Sequence, residues 1–282
     1  MYIKSYAKIN FTLEVLNKYS NGFHEIKSLM HTIDLHDEIS IENSKTLNIE
    51  SNTNTINVME NIMYKTILLV KNEFSIKKWV DINIKKNIPI SSGLGGGSSN
   101  AASTLLCLNK LWNLNMDYKK LANLASLLGS DVPFFIKGGG ALVSGRGEII
   151  NPINDFNFNE ILLIYPKDIF NFTQTKTKYM FSKILDSYYT DGSYSNKIVN
   201  NINQMSLFNS EDFYNPFLSI LSKESSEFSS ILTYIKKQNI KKYFLSGAGP
   251  TIGIFDFEGK IDIDYIKNKY NLEIYKVNNN LL

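Results

Sequence analysis

Four glycines and four serines fall within the twelve residues Pro89-Ile-Ser-Ser-Gly-Leu-Gly-Gly-Gly-Ser-Ser-Asn100. Glycines let backbone N–H groups converge on a small space, and the start of a following helix adds partial positive charge. Together these bind anions, phosphate above all. Residues 101–112 carry apolar side chains at 101, 102, 105, 106, 108, 111 and 112, a spacing that predicts a helix. Upstream, Val80, Ile82 and Ile84 alternate with Asp81, Asn83 and Lys85, the pattern of a half-buried strand. The unit reads strand, glycine-rich loop, helix, with Ser98, Ser99 and Asn100 placed to cap or to contact a ligand. It is not a Walker loop, which needs Lys followed by Ser or Thr after its last glycine. Nor is it the dinucleotide fingerprint, whose third glycine is replaced by Ser98. A flexible linker of like composition would not be flanked so closely by a patterned strand and helix.

Other reactive groups are scattered. Tyr6, Lys8, Asn10, Thr12 and Glu14 alternate with Ala7, Ile9, Phe11, Leu13 and Val15, so Lys8 and Asn10 share the polar face of one strand. A solvated strand lysine is the commoner fate of such a residue. Asp131 precedes Pro133 by two positions, and the residues alone favour reading it as a helix cap. Phe23 and His24 follow the turn Lys18-Tyr-Ser-Asn-Gly22, whose Asn-Gly pair favours a tight hairpin. Arg146 stands between two glycines, which leaves its backbone free to approach phosphate while the guanidinium pairs with it. No His, Cys and carboxylate cluster has metal-site spacing, so no metal ligand is assigned.

The elements that must position these groups belong to a chain of 282 residues, long enough for two domains around one site. We divide it into residues 1–154 and 155–282, the pattern breaking at 151–158. Hydrophobic residues make up 43%, and the net charge is +3, too small for nucleic acid or an anionic membrane as main partner. A single cysteine, Cys107, rules out an internal disulfide and fits a reducing, cytoplasmic setting. No signal-peptide core or spanning segment is seen. Further strands are predicted near 25–42, 160–165 and 241–246, and helices at 61–72, 118–128, 174–186, 213–222 and 228–238, with Asn61 and Gly129 as caps. The fold class is α+β. Residues 186–211 read as a loop or a weak helix.

Three motifs in order resemble the GHMP kinases: Ala7-Lys8-Ile9-Asn10, the glycine-rich loop, and Ser246-Gly247-Ala248-Gly249-Pro250. Asn21-Gly-Phe-His-Glu25 and Gly129-Ser-Asp-Val-Pro-Phe-Phe135 resemble the branch that phosphorylates the 2-hydroxyl of a cytidine-diphosphate-linked methylerythritol. The resemblance implies a bilobal fold: a domain like the second domain of ribosomal protein S5, then a ferredoxin-like domain. It implies ATP, with Mg²⁺ arriving on it, held by Pro89, Ile90, Ser91, Ser92, Gly93, Leu94, Gly95, Gly96, Gly97, Ser98 and Ser99, with Asn61 at the adenine or simply capping its helix. It implies Lys8 and Asp131 as catalytic, and Asn10, Phe23, His24, Arg146, Thr175 and Tyr179 at the cytidyl substrate, Tyr179 being as plausibly a core residue. It leaves monomer or homodimer open. Where the family usually has Asp-Gly-Tyr-His, this chain has Asn21-Gly22-Phe23-His24, which keeps the aromatic face and loses the phenol. A homoserine-type kinase would have no base to stack on Phe23. A non-catalytic nucleotide-binding module would need neither Lys8 nor Asp131.

Overall fold

The computed structural model describes all residues except 54–60, 155, 159, 170–175, 204–211 and 282. Among the described residues, the first half builds one sheet from β1 (Tyr2–Asn10), β2 (Glu14–Lys18), β3 (His24–Ser44), β4 (Asn48–Ser51), β5 (Trp79–Lys85), β6 (Gly140–Gly145) and β7 (Ile149–Pro152). The order is β4-β5-β3-β6-β7, with β1 and β2 also paired to β3. The strands expected near 25–42 are one continuous strand of 21 residues, since no Gly or Pro interrupts 24–44. The turn before it forms as read: β2 and β3 are antiparallel, and Gly22 takes φ +85°.

Three helices cover this sheet: α1 (Ile62–Phe74), α2 (Gly96–Leu111) and α3 (Tyr118–Leu128); α4 (Phe134–Lys137) is a single turn after them. Ile39, Ile41, Val80, Ile82 and Ile84 of the sheet share a core with Ala101, Ala102, Leu105 and Leu108 of α2. The period of two in β5 and of about 3.6 in α2 is the signature of this packing. Asn61 caps α1 by accepting the Met63 N–H at 2.9 Å, and Gly129 closes α3.

The second half builds an antiparallel sheet, β11-β8-β10-β9, from β8 (Ile161–Pro166), β9 (Tyr243–Leu245), β10 (Ile252–Ile254) and β11 (Leu272–Val277). Its other helices are α5 (Lys176–Ser182), α6 (Ser193–Asn203), α7 (Pro216–Glu224), α8 (Ser226–Lys237) and α9 (Ile263–Lys269). Within the stretch read as loop or weak helix, α6 is a full helix of 11 residues. It buries Ile198 and Ser195 completely. Val199 and Ile202 pack beside Ile198 on its inner face, and the other face is Ser, Asn and Lys. No helix among the described residues is long and apolar enough to cross a membrane.

The two sheets meet on β1. Phe11 is ringed by Phe156, Phe158, Phe213, Phe244 and Phe255, with centroids 5.4–6.5 Å away. This overturns the reading of Lys8 as a solvated strand lysine. Lys8, Asn10, Thr12 and Glu14 are all buried, at 3% exposure or less. The physical reason is a second packing partner from far along the chain. Ser195 of α6 bonds Thr12 Oγ1 at 2.7 Å and donates its N–H to Glu14 at 2.8 Å. The 246–250 turn lies over Lys8 and Asn10: a Cβ on Gly247 would sit 3.1 Å from Lys8 Nζ.

Candidate active site

The glycine-rich loop starts α2 without a side-chain cap. Gly95 occupies the cap position at φ +74°, and Ser99 N–H closes the first turn on Gly95 O at 2.9 Å. The earliest N–H groups of α2 therefore open outward as a positive helix end. The loop itself is held from two sides. From β1, the Lys8 N–H donates to Leu94 O at 2.9 Å and Lys8 Nζ to Gly93 O at 2.9 Å. From the second sheet, Ser246 Oγ donates to Gly93 O at 3.0 Å and Thr251 N–H to Ser92 O at 3.2 Å. Three motifs, the outer two more than two hundred residues apart, thus share one carbonyl, that of Gly93.

Lys8 Nζ lies 3.8 Å from Asp131 Oδ2, and also donates to Asn10 Oδ1. The lysine side chain is 3% exposed and the carboxylate 38%. A buried cation is thus set behind an acid that solvent or a substrate hydroxyl can reach. Burial pulls the Lys8 pKa down, and Asp131 opposes the shift. Asn10 passes its own amide N–H to Ser28 Oγ at 2.8 Å, so its carbonyl is oriented toward Lys8. The alternative role for Asp131 is not the one built here. The cap position of α4 is Pro133, with no side-chain cap bond.

At the other end, His24 stacks on Phe181, with centroids 5.2 Å apart and planes at 30°. Burial, with the charge of Lys18, holds the His24 pKa below its ordinary value. Phe23 is 51% exposed, and the Arg146 guanidinium lies over its ring at 5.0 Å. Arg146 also faces Glu148 at 3.6 Å. Tyr179 is partly buried, packed against the core around Leu162, Phe217 and Phe228; its hydroxyl donates to Glu224 and Lys183 lies over its ring at 4.9 Å. Thr175 lies outside the described residues. Asn61 caps α1, as above.

Residues 61–139 match the GHMP kinases N terminal domain. A 4-diphosphocytidyl-2-C-methyl-D-erythritol kinase of Prochlorococcus marinus (strain MIT 9215) is 38% identical, over 95% of this chain and 88% of its own. A Clostridium perfringens (strain 13) protein of the same name is 32% identical over 96% of this chain and 94% of its own. The chain belongs to the 4-diphosphocytidyl-2-C-methyl-D-erythritol kinase family. A crystal structure of a 4-(cytidine 5'-diphospho)-2C-methyl-D-erythritol kinase superposes with TM-score 0.79 at 22% identity, covering 99% of this chain and 98% of that one. A homoserine kinase from Cytophaga hutchinsonii superposes at 0.67 with 17% identity, covering 99% and 95%. The two-sheet architecture is thus the two-domain fold of the GHMP kinases.

This kinase also contains a buried ionic cluster that sequence reading passed over. Asp37 is fully buried. Its Oδ1 accepts the N–H groups of Asn87 and Ile88, each at 2.8 Å. Its Oδ2 accepts from Lys86 Nζ and, at 2.9 Å, from Asn100 Nδ2. Asn100 reaches on to Ser5 Oγ at 3.0 Å, and Ser5 Oγ meets Ser99 Oγ at 2.8 Å. One carboxylate therefore ties the entry of the glycine loop to the first turns of α2. Removing its charge strands Lys86 in a buried site. Asp37→Asn is expected to cost about 3–5 kcal/mol of stability, read as a drop in thermal midpoint. Lys86→Met in the same chain is expected to recover part of that loss; no recovery would mean the pair is not what holds the loop.

Phe181 is likewise a residue that sequence reading missed. Its only signal is a position two residues after Tyr179, on the next part of a short helix. Among the described residues, no group of three or more His, Cys, Asp or Glu is placed to hold a metal ion.

Proposed function

We propose that this kinase transfers the γ-phosphate of ATP to the 2-hydroxyl of 4-diphosphocytidyl-2-C-methyl-D-erythritol, a step of the non-mevalonate route to isoprenoids. The observation that carries the reading is the Lys8–Asp131 pair at 3.8 Å, set beside a glycine loop whose Gly93 carbonyl Lys8 itself holds. Phosphoryl transfer is mainly positioning and charge stabilisation. Asp131 takes the proton from the acceptor hydroxyl. Lys8 stabilises charge on the acceptor oxygen in a water-poor setting. The start of α2 and the loop N–H groups hold the phosphates. ATP enters as its Mg²⁺ complex, a cation that keeps several waters and binds chiefly through phosphate oxygens. Phe23 and His24 take the cytosine, by stacking and by hydrogen bonds, with Asn10, Arg146, Thr175 and Tyr179 completing the substrate site. We place the enzyme in the cytoplasm, as a monomer or homodimer. The deciding assay is ADP release with the cytidyl alcohol and with homoserine, followed by NMR location of the new phosphate. Turnover of homoserine alone, or phosphate on another hydroxyl, would overturn the assignment.

Two substitutions separate the pockets. Gly97 is helical, and a Cβ there would meet nothing within 4 Å. Gly97→Ala should therefore leave the thermal midpoint equal or higher, since alanine is the better helix former by about 0.8–1 kcal/mol. Its methyl would intrude on phosphate at the helix start, so ATP affinity should fall. Unchanged affinity by calorimetry would move the phosphates away from this end of α2. Phe23→Ala should raise KM for the cytidyl alcohol through a lost stack of about 1–3 kcal/mol, leaving KM for ATP nearly constant. The reverse pattern would exchange the two pockets.

A further inference from the structure

The Lys8 ammonium has three N–H bonds to direct, and Asn10 Oδ1 and Gly93 O accept two of them. Those acceptors aim the third toward Asp131, whose Oδ2 stands 3.8 Å from Nζ. Gly93 O is backbone and is held by its loop. Asn10 Oδ1 belongs to a side-chain amide, whose half-turn exchanges oxygen for NH₂ with almost no change of shape. What fixes that amide is Ser28, fully buried on β3. Its hydroxyl carries one proton and donates it to Thr12 O at 2.5 Å. It therefore meets Asn10 as an acceptor, at 2.8 Å, and Nδ2 is the end that faces it. Thr12 is itself held from two sides: its Oγ1 accepts the Leu29 N–H at 2.9 Å and pairs with Ser195 Oγ at 2.7 Å.

We propose that Ser28 is a positioning residue for the phosphoryl transfer, setting the Asn10 amide so that its oxygen, and not its nitrogen, holds Lys8 beside Asp131. The proposal rests on Lys8 acting at the acceptor hydroxyl. With the amide reversed, an NH₂ donor would face the ammonium, in a place where Lys8 is 2% and Asn10 3% exposed and water cannot separate the two. Oδ1 would in turn face a hydroxyl oxygen whose proton is already committed to Thr12 O. Both ends of the reversed amide are thus opposed, one of them by Ser28 alone. Without that hydroxyl, Nδ2 loses its acceptor and the amide is free to turn, which takes the Lys8 ammonium off its aim. Misplacing a reacting group by about an ångström can cost on the order of a hundredfold in rate. A serine that merely fills β3 would have no say in which end of Asn10 meets the lysine.

The test is steady-state kinetics of the full chain with ATP and the cytidyl alcohol, the folded sites of each variant counted by binding of Mg²⁺–adenylyl imidodiphosphate. Ser28→Ala should lower kcat per folded site by roughly tenfold to a hundredfold. KM for ATP should hold within about twofold, because Ser28 lies off the nucleotide loop, and KM for the cytidyl alcohol should change far less than kcat. Ser28→Cys keeps the size of the side chain but offers sulfur, a weak acceptor. It should lose kcat in the same way, and it decides the matter if the alanine variant does not fold. Ser28→Thr keeps the hydroxyl on a residue type suited to a strand and should stay within a few-fold of wild type. Normal kcat in Ser28→Ala or Ser28→Cys would overturn the proposal. So would a loss carried by either KM in place of kcat, or a Ser28→Thr protein as slow as Ser28→Cys. Lys8→Met reads the assignment beneath it. Full turnover there would remove Lys8 from the chemistry and the proposal with it, whereas fast Ser28 variants beside an inactive Lys8→Met would strike the positioning role alone.

Discussion

Asp131→Asn should leave a folded protein that binds ATP and scarcely turns over. Its carboxylate is 38% exposed and 3.8 Å from Lys8 Nζ, and α4 does not depend on it for a cap, since the cap position is Pro133 and no side chain caps it. The amide is nearly isosteric, so packing around Val132 and Phe134, both fully buried, is undisturbed. What is lost is the proton acceptor and the negative charge facing Lys8. General-base loss typically lowers rate by about 10²–10⁴-fold. The measurement is kcat beside a thermal melt and an ATP titration on one sample. Wild-type turnover with an unchanged melt would remove Asp131 from the chemistry. Lys8→Met should also lose activity, but it differs in one respect. Lys8 holds Gly93 O and Asn10 Oδ1, so this variant should loosen the loop as well and lower ATP affinity. A Lys8→Met protein with normal ATP affinity would show that the loop is positioned by the 246–250 turn alone.

Local patterns made the scaffold legible. β5 and α2 announce themselves by periods of two and 3.6, Asn61 and Gly129 cap the helices they flank, and the hairpin forms at Asn21-Gly22. The ordered motifs made the pair Lys8 and Asp131 legible as well. What local pattern could not show is which faces receive a second cover. Lys8 could be read as a solvated strand lysine because Ser195 and Gly247, which help to bury its face of the strand, lie more than 180 positions away. The same limit hid Asp37, whose four donors come from 86–88 and from α2. It also hid Phe181 under His24, and Ser28 behind Asn10. In each case the residue type was unremarkable and the partner came from a separate part of the chain. Polar α6 was a different case: Tyr194, Ile198, Val199 and Ile202 do recur at helical spacing, but they stand among Ser and Asn residues whose polarity reads as loop.

Gly93→Ala should damage stability and catalysis together, through the seam and not through any lost contact of its own. Gly93 sits at φ +89°, where a Cβ would collide with the Ser246 carbonyl oxygen and come within 2.8 Å of that of Gly249. Both obstacles are backbone, which cannot swing aside as a side-chain end can. The left-handed conformation costs a non-glycine residue about 1–2 kcal/mol, and overpacking typically adds about 1–3 kcal/mol. To relieve the clash the loop must part from the 246–250 turn. That breaks Ser246 Oγ to Gly93 O and Thr251 N–H to Ser92 O, and it carries Gly93 O away from Lys8 Nζ. The expected result is a thermal midpoint lower by several degrees and a loss of kcat/KM larger than Gly97→Ala produces. Gly97→Ala is the matched control, the same methyl four residues on in the first turn of α2, with open space before it. If Gly93→Ala melts with wild type, the close approach of the two lobes at this carbonyl is not a feature of the protein in solution. If instead it melts low but keeps full kcat/KM at a temperature where it is folded, the seam supports the fold without positioning Lys8.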